Sequence, residues 1–182
     1  MWWDRLTAEL NASDERAIAL ATSLRLSQLN WKPAPGVWSV GQCLEHLAVS
    51  NEIYGRAIAN GLSLAPPGSA DEIKPGWFAR YFIREYIAPT EQRTRHKAPP
   101  KIRPVPDVDA RILQRFLDTN TRTRALVERA KHVDVNRVRF RNPFVGWIRF
   151  TVGTGLEILS KHEQRHLLQA ERVRNSPGFP QS

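Results

Sequence analysis

The stretch Trp31-Lys-Pro-Ala-Pro-Gly-Val-Trp-Ser-Val-Gly-Gln-Cys-Leu-Glu-His-Leu47 joins a turn to the start of a helix. The prolines and glycine of Pro33 to Gly36 favour a rigid turn. Ser39 and Gln42 then have the spacing of a capping box, in which the serine hydroxyl and the glutamine amide satisfy free backbone amides at a helix N-terminus. The stretch therefore predicts a helix that begins at Ser39.

Three further long helices are predicted around this one, which extends to about Asn60. Apolar residues recur at helical spacing from about Trp3 to Leu29, from about Asp107 to Lys131 and from about Arg149 to Arg174. No alternation of apolar and polar residues is strong enough to require a sheet. Four long amphipathic helices with one core predict an all-α fold, a four-helix bundle.

The chain is expected to form a single domain over residues 1–182, because its length suits one well-buried core. Residues 65–106 are interpreted as a proline-rich, loop-rich insertion in the bundle. This insertion contains a short aromatic helix from Trp77 to Ile87. The part from Pro89 to Pro106 should be extended and exposed. We expect the proline-rich segment from Ala88 to Pro106 to say little about a functional site.

Bulk composition argues against several classes of protein. A disulfide scaffold is excluded, since Cys43 is the only cysteine. Charged residues interrupt the first ten positions, so a signal peptide is not expected. No window approaches about 18 uncharged apolar residues, so we expect no spanning helix and no membrane partner. The net charge is +9, but the arginines are spread along the chain and predict no specific nucleic-acid partner. The expected location is cytoplasmic.

The last predicted helix carries His162-Glu-Gln-Arg-His166. Two histidines four residues apart lie on one helix face, about 6 Å apart along the axis, so both rings can reach one metal ion. The alternative is two surface histidines, or one packed and one solvated histidine. His46 lies between Leu44 and Leu47 on the capped helix, where burial without a partner would be costly. Across a bundle, His46 can meet the two histidines of the last helix.

The same five residues match His-Glu-x-x-His, the zinc-protease motif in which the glutamate activates water. A zinc metallopeptidase also needs a downstream ligand, but only 16 residues follow His166 and none is a histidine. Glu171 should face about 140° away from the pair. The third ligand must therefore come from upstream. Glu163 could act as a general base beside a metal, although we favour a solvated helix charge.

The remaining polar candidates receive structural interpretations. His96 and His132 lie in polar surroundings that predict solvent exposure. Cys43, one turn before His46, is interpreted as a buried small hydrophobic residue rather than a nucleophile. Asn51 lies on the core side of the same helix, where it needs a hydrogen-bond partner.

Several neighbours of the predicted site receive supporting roles. Gln42 and Glu45 could orient the ring of His46. Trp77 and Phe78 could reach over the mouth of the site, whereas Trp38 is expected to pack at the end of the bundle.

Residues 31–47 resemble the opening signature of the DinB-like (YfiT-like) superfamily. Its members place a Trp-Ser turn before a helix with one metal-binding histidine, and His46 matches that position. They place a His-x-x-x-His pair on their last core helix, which His162 and His166 match. The resemblance extends from about Ala17 to Val173 and is specific at these two segments.

The resemblance implies a four-helix bundle of the DinB/YfiT-like type that binds nickel or zinc through His46, His162 and His166, often as a homodimer. Three protein ligands leave one position open, as in catalytic zinc sites. Water at that position would have its pKa lowered to about 7, and a thiol would become a thiolate. We therefore expect a metal-dependent enzyme with a small-molecule substrate, either a hydrolase or an S-transferase that uses a low-molecular-weight thiol. The alternative is a metal-binding module without catalysis.

Overall fold

The computed structural model describes residues 1–89 and 98–181. These residues form six α-helices and two short strands. In chain order they are α1 (Trp2–Ala21), α2 (Leu26–Asn30), α3 (Val40–Ser63), α4 (Trp77–Phe82), α5 (Ile112–Ala130), β1 (Arg139–Arg141), β2 (Arg149–Thr151) and α6 (Val152–Arg174). A π-helical turn continues α4, and a 3-10 turn precedes α5. None of the helices in the described part has the length and apolar content needed to span a bilayer.

The four long helices form the predicted bundle. Helix α3 packs against α5 and α6, and α1 packs against the same two helices, so α1 and α3 lie diagonally opposite. One apolar cluster fills the half of the bundle around Ile58 and Leu156, and a second fills the half around Leu44 and Phe116. The all-α fold predicted from the sequence is confirmed, with the hairpin described below as a small addition.

A layer of polar side chains separates the two apolar clusters. Each long helix contributes one member, and we call this group the polar layer: Ser13, Asn51, Asn120 and Glu163, all buried. Hydrogen bonds connect them across the centre of the bundle. Such a layer satisfies buried polar groups that would otherwise oppose folding.

Strands β1 and β2 form an antiparallel hairpin that the sequence did not predict. Phe140 pairs with Phe150, and both rings are buried against the bundle. Gly155 of α6 permits this packing, because a Cβ atom there would lie 2.6 Å from the ring of Phe140. With three residues in each strand, the alternation was too short to recognise.

Helix boundaries follow local signals only in part. The capping box is observed, since the Ser39 hydroxyl accepts from the Gln42 amide at 3.1 Å. Helix α3 runs beyond Asn60 and Gly61 to Ser63. The first predicted helix ends early, at Ala21, before the separate short helix α2. The predicted starts of the last two long helices were also too early, since α5 begins after a docked segment and α6 begins after β2.

The docked segment comprises residues 98–108, which we call the strap. Most of its residues are exposed, as predicted for Pro89 to Pro106, but the side chains of Ile102 and Val108 are buried, at 5% and 6% exposed. Gln42 donates to the carbonyl of Val105 at 2.7 Å, and the amide of Val105 donates to the Glu45 carboxylate at 2.7 Å. The strap therefore lies against the N-terminal half of α3.

Candidate metal centre

Three histidine side chains meet between α3 and α6. The ring centroids of His46 and His162 are 4.9 Å apart, those of His46 and His166 are 4.4 Å apart, and those of the α6 pair are 4.6 Å apart. One ring nitrogen from each histidine lies within 4.8 Å of the others. The structure thus brings together the three residues that the sequence selected.

Hydrogen bonds orient two of these rings. Nδ1 of His46 donates to the carbonyl oxygen of Ile102 at 2.6 Å. Because a carbonyl oxygen only accepts, this contact leaves a lone pair on Nε2, which lies 3.1 Å from Nε2 of His162. Nδ1 of His166 similarly donates to Oε1 of Gln169 at 2.9 Å. These partners fix the tautomer in the way that outer hydrogen bonds do for metal-binding histidines.

Burial keeps the three imidazoles neutral. It lowers the pKa of His46 to about 4, while the hydrogen bond to Ile102 opposes the shift. Burial also lowers the pKa values of His162 and His166 well below the ordinary value, assisted by the other histidines and by the charge of Arg165. The three imidazoles are therefore neutral at pH 7, and the neutral imidazole is the form that binds metal ions. These residues fit a divalent cation.

One side of the cluster is covered by an indole ring. Trp38 lies 4.8 Å from the ring centroid of His46 and stacks 5.7 Å from that of His166. His46 and His166 are 2% and 9% exposed, whereas His162 is only half-buried. The cluster therefore reaches solvent on the His162 side. The sequence predicts only that Trp38 packs at the end of the bundle, although its place immediately before the capped helix is a signal for this role.

The strap contributes directly to the centre through the Ile102 carbonyl. The expectation that the segment from Ala88 to Pro106 says little about the site is therefore wrong. Gln42 and Glu45, which were expected to orient His46, instead bind the strap at Val105, three residues beyond Ile102. No local pattern in the sequence indicates this contact, since Ile102 is 56 residues from His46.

Glu163 belongs to the polar layer, so the interpretation as a solvated helix charge is wrong. The side chain is 0% exposed. Its Oε1 accepts from Asn51 at 2.8 Å, and Oε2 accepts from Asn120 at 3.2 Å. Burial raises the pKa of this carboxyl to about 8, although the hydrogen bonds oppose the shift. The partner predicted for Asn51 is thus provided chiefly by Glu163.

Other sequence candidates lie away from the histidine cluster. His132 is exposed, as predicted, and His96 lies outside the described residues. Glu171 faces α1, where it forms an ion pair with Arg16 at 2.8 Å. Placing Trp77 and Phe78 over the site was wrong. Trp77 is 76% exposed, and Phe78 stacks on the hairpin residue Phe150.

Cys43 is expected to resist thiol reagents in the folded protein. The side chain is 0% exposed, and burial raises the pKa of its thiol, so little thiolate is accessible. We expect no reaction with Ellman's reagent under native conditions. After denaturation, the reagent should release one equivalent of thionitrobenzoate per chain. Rapid reaction of the native protein would contradict the interpretation of Cys43 as a buried hydrophobic residue.

Comparison with known proteins places this architecture in a family. A family model described as the DinB superfamily matches residues 9–170. Among solved structures, the chain is similar to YfiT from Bacillus subtilis, described as "a probable metal-dependent hydrolase with an unusual four-helix bundle topology". The TM-score is 0.61 at 17% identity, over 94% of this chain and 85% of that one, which shows a shared fold. No curated protein matches the chain. Since the family model covers most of its length, the chain belongs to the DinB superfamily.

Proposed function

We propose that this protein is a metal-dependent hydrolase that holds one divalent ion, nickel or zinc, with His46, His162 and His166. The observation that carries this proposal is the group of three ring nitrogens within 4.8 Å of one another. Imidazole ligands suit both zinc and nickel. The description of YfiT as a metal-dependent hydrolase supports the same class of reaction.

When bound, such an ion would supply Lewis acidity, which would polarise a substrate oxygen and lower the pKa of water at the site to about 7. The residues of the chain prepare the centre for that chemistry. Ile102 holds one ring nitrogen of His46, and Trp38 shields two of the three rings from water. A small-molecule substrate would approach from the half-buried His162 side.

Metal analysis of protein purified without a histidine tag tests the proposal first. We expect about one nickel or zinc ion per chain. Metal-loaded protein should hydrolyse members of a panel of nitrophenyl esters and phosphates, and a chelator should remove that activity reversibly. Absence of bound metal would refute the proposal. Bound metal without hydrolysis of any panel member would favour a non-catalytic module.

The same metal-loaded protein also distinguishes a hydrolase, which uses water, from a transferase, which uses a thiol. Metal-dependent consumption of glutathione or cysteine with an electrophile, without hydrolysis, would assign the protein to the S-transferases and refute a hydrolase. The homodimer implied by the family resemblance also stays a prediction, and sedimentation equilibrium tests it.

The general-base role of Glu163 stays a prediction as well. Glu163→Gln preserves the shape of the side chain and removes its capacity to accept a proton. We expect the metal content to remain unchanged. Because burial raises the pKa of Glu163 to about 8, the carboxylate form predominates only above that pH, and a fall in hydrolysis of about 10²–10⁴-fold there would support a general base. Unchanged hydrolysis would assign Glu163 to the polar layer alone.

Glu45→Ala is expected to weaken metal affinity by up to about tenfold, the lower end of the range for removing outer partners of metal ligands, because Glu45 binds the strap and not a ligand itself. The amide of Val105 would lose its carboxylate acceptor, which would loosen the strap that carries Ile102. Competition with a chelating dye would measure the change.

Glu52→Ala provides a matched control for this variant. Both glutamates lie on α3 and face Arg115, at 3.8 Å from Glu45 and 3.0 Å from Glu52. Within the described residues, however, only Glu45 accepts a hydrogen bond from the strap. Equal metal affinities in the two variants would show that the strap does not support His46.

A further inference from the structure

The outer face of the hairpin carries three exposed arginines, which we call the arginine face: Arg139, Arg141 and Arg149. Arg141 and Arg149 are directly opposite in the register, and Arg139 lies two residues along the same face. Directly opposed residues have Cβ atoms about 5 Å apart, and like charges in such a pair are destabilising. The hairpin therefore tolerates a repulsion that an anion would relieve.

These guanidinium groups have no acidic partner among the residues that the structure describes. Within residues 1–89 and 98–181, none of the three forms an ion pair or a side-chain hydrogen bond, whereas Arg5, Arg16, Arg115 and Arg124 each bind a carboxylate. An arginine fork binds phosphate or carboxylate oxygens through two parallel hydrogen bonds. The arginine face is therefore free to bind an oxyanion.

Next to this face lies a groove of about 680 Å³ between β1 and the C-terminal end of α3, which we call the hairpin groove. Arg139 and Arg141 line it, together with apolar surface that includes Leu64 and Pro66, and none of the described residues that line it is acidic. Leu64 is 88% exposed. Gly61 allows the hairpin to approach α3, since a Cβ atom there would lie 3.3 Å from Phe140 and from the Arg139 carbonyl.

We propose that the hairpin groove binds an amphiphilic anion. The phosphate or carboxylate head would bind Arg139 and Arg141, and the apolar tail would lie along Leu64. This site is independent of the metal centre. His46 and Gly61 are both on α3, about 22 Å apart along an axis that rises about 1.5 Å per residue.

Calorimetric titration of the metal-loaded full chain tests the site, with octyl phosphate below its micelle concentration as the probe. Octyl phosphate should bind at least tenfold more tightly than inorganic phosphate, which lacks the tail, and than octanol, which lacks the charge. Affinity no greater than that of inorganic phosphate would refute the groove. Binding to phosphatidylglycerol vesicles without binding to octyl phosphate would assign the arginines to a bilayer and overturn the small-ligand site.

Arg141→Thr separates binding from folding. This variant should bind octyl phosphate at least tenfold more weakly, while its melting temperature should be unchanged or higher because the repulsion with Arg149 is removed. Arg129→Thr, which changes an exposed arginine of α5, should bind like the parent. Equal losses in the two variants would show a nonspecific charge effect and refute the site.

His166→Ala should keep its affinity for octyl phosphate. The proposal of an anion site and the proposal of a metal centre can therefore be supported or refuted independently.

Discussion

His166→Ala is expected to abolish stoichiometric metal binding and to leave the helical circular dichroism signal largely intact. A structural zinc site with four ligands is worth about 10–16 kcal/mol, so loss of one imidazole should weaken binding by about 10²–10³-fold. The bundle should persist, because residues such as Leu159 and Leu167 bury the apolar face of α6 independently of the metal. Elemental analysis and thermal unfolding measure the two effects.

His132→Ala is the control for this variant, because His132 is an exposed histidine just beyond α5. It should retain the metal of the parent protein. Added metal should raise the melting temperature of the parent and of His132→Ala by mass action, and should have little effect on His166→Ala. Full metal occupancy in His166→Ala would show that the assigned triad is wrong.

Glu163→Ala is expected to cost about 2–4 kcal/mol of unfolding free energy, which corresponds to about 5–15 °C in melting temperature for a chain of this size. The substitution leaves a cavity at the centre of the bundle. It also removes acceptors from the amides of Asn51 and Asn120. Denaturant unfolding of the metal-free protein measures the loss without a contribution from the ion.

Two further variants calibrate that result. Glu171→Ala also removes a glutamate of α6, but its ion pair with Arg16 is partly solvated and should contribute only about 0–1 kcal/mol. Glu163→Gln should recover most of the lost stability. Among the residues that the structure describes, Oδ1 of Asn51 has no hydrogen-bond partner in its present orientation, so a rotated Asn51 amide can accept from glutamine. Equal losses in Glu163→Ala and Glu171→Ala would contradict a structural role for the polar layer.

Local sequence signals predicted the parts of the fold that local interactions form. Ser39 and Gln42 satisfy one another's backbone groups, so the start of α3 could be placed to the residue. The break after Ala21 lacks a comparable signal, since the residues between α1 and α2 include no glycine or proline. The hairpin was missed because its short strands are stabilised by Phe140 and Phe150 packing on the bundle.

At the candidate site, too, local patterns could be recognised in the sequence and contacts between distant segments could not. Two of its histidines share a helix, and the third could be found by its place on an amphipathic helix. The burial of Glu163 could not be predicted, because its partners come from three other helices. The contact of Ile102 with His46 depends on the path of a chain segment between two long helices, which no periodic pattern records.

The polar layer also fixes how the helices are aligned along the axis of the bundle. Sliding α3 past α6 by one turn would displace it by about 5.4 Å and would leave Asn51 and Glu163 buried without each other. A metal–nitrogen bond is about 2.0–2.1 Å long, so such a slip would also separate His46 from the two histidines of α6. Glu163 is the sequence neighbour of His162. The hydrogen bonds of the polar layer therefore align α3 and α6 along the bundle axis so that the three imidazole rings lie close together without a bound ion.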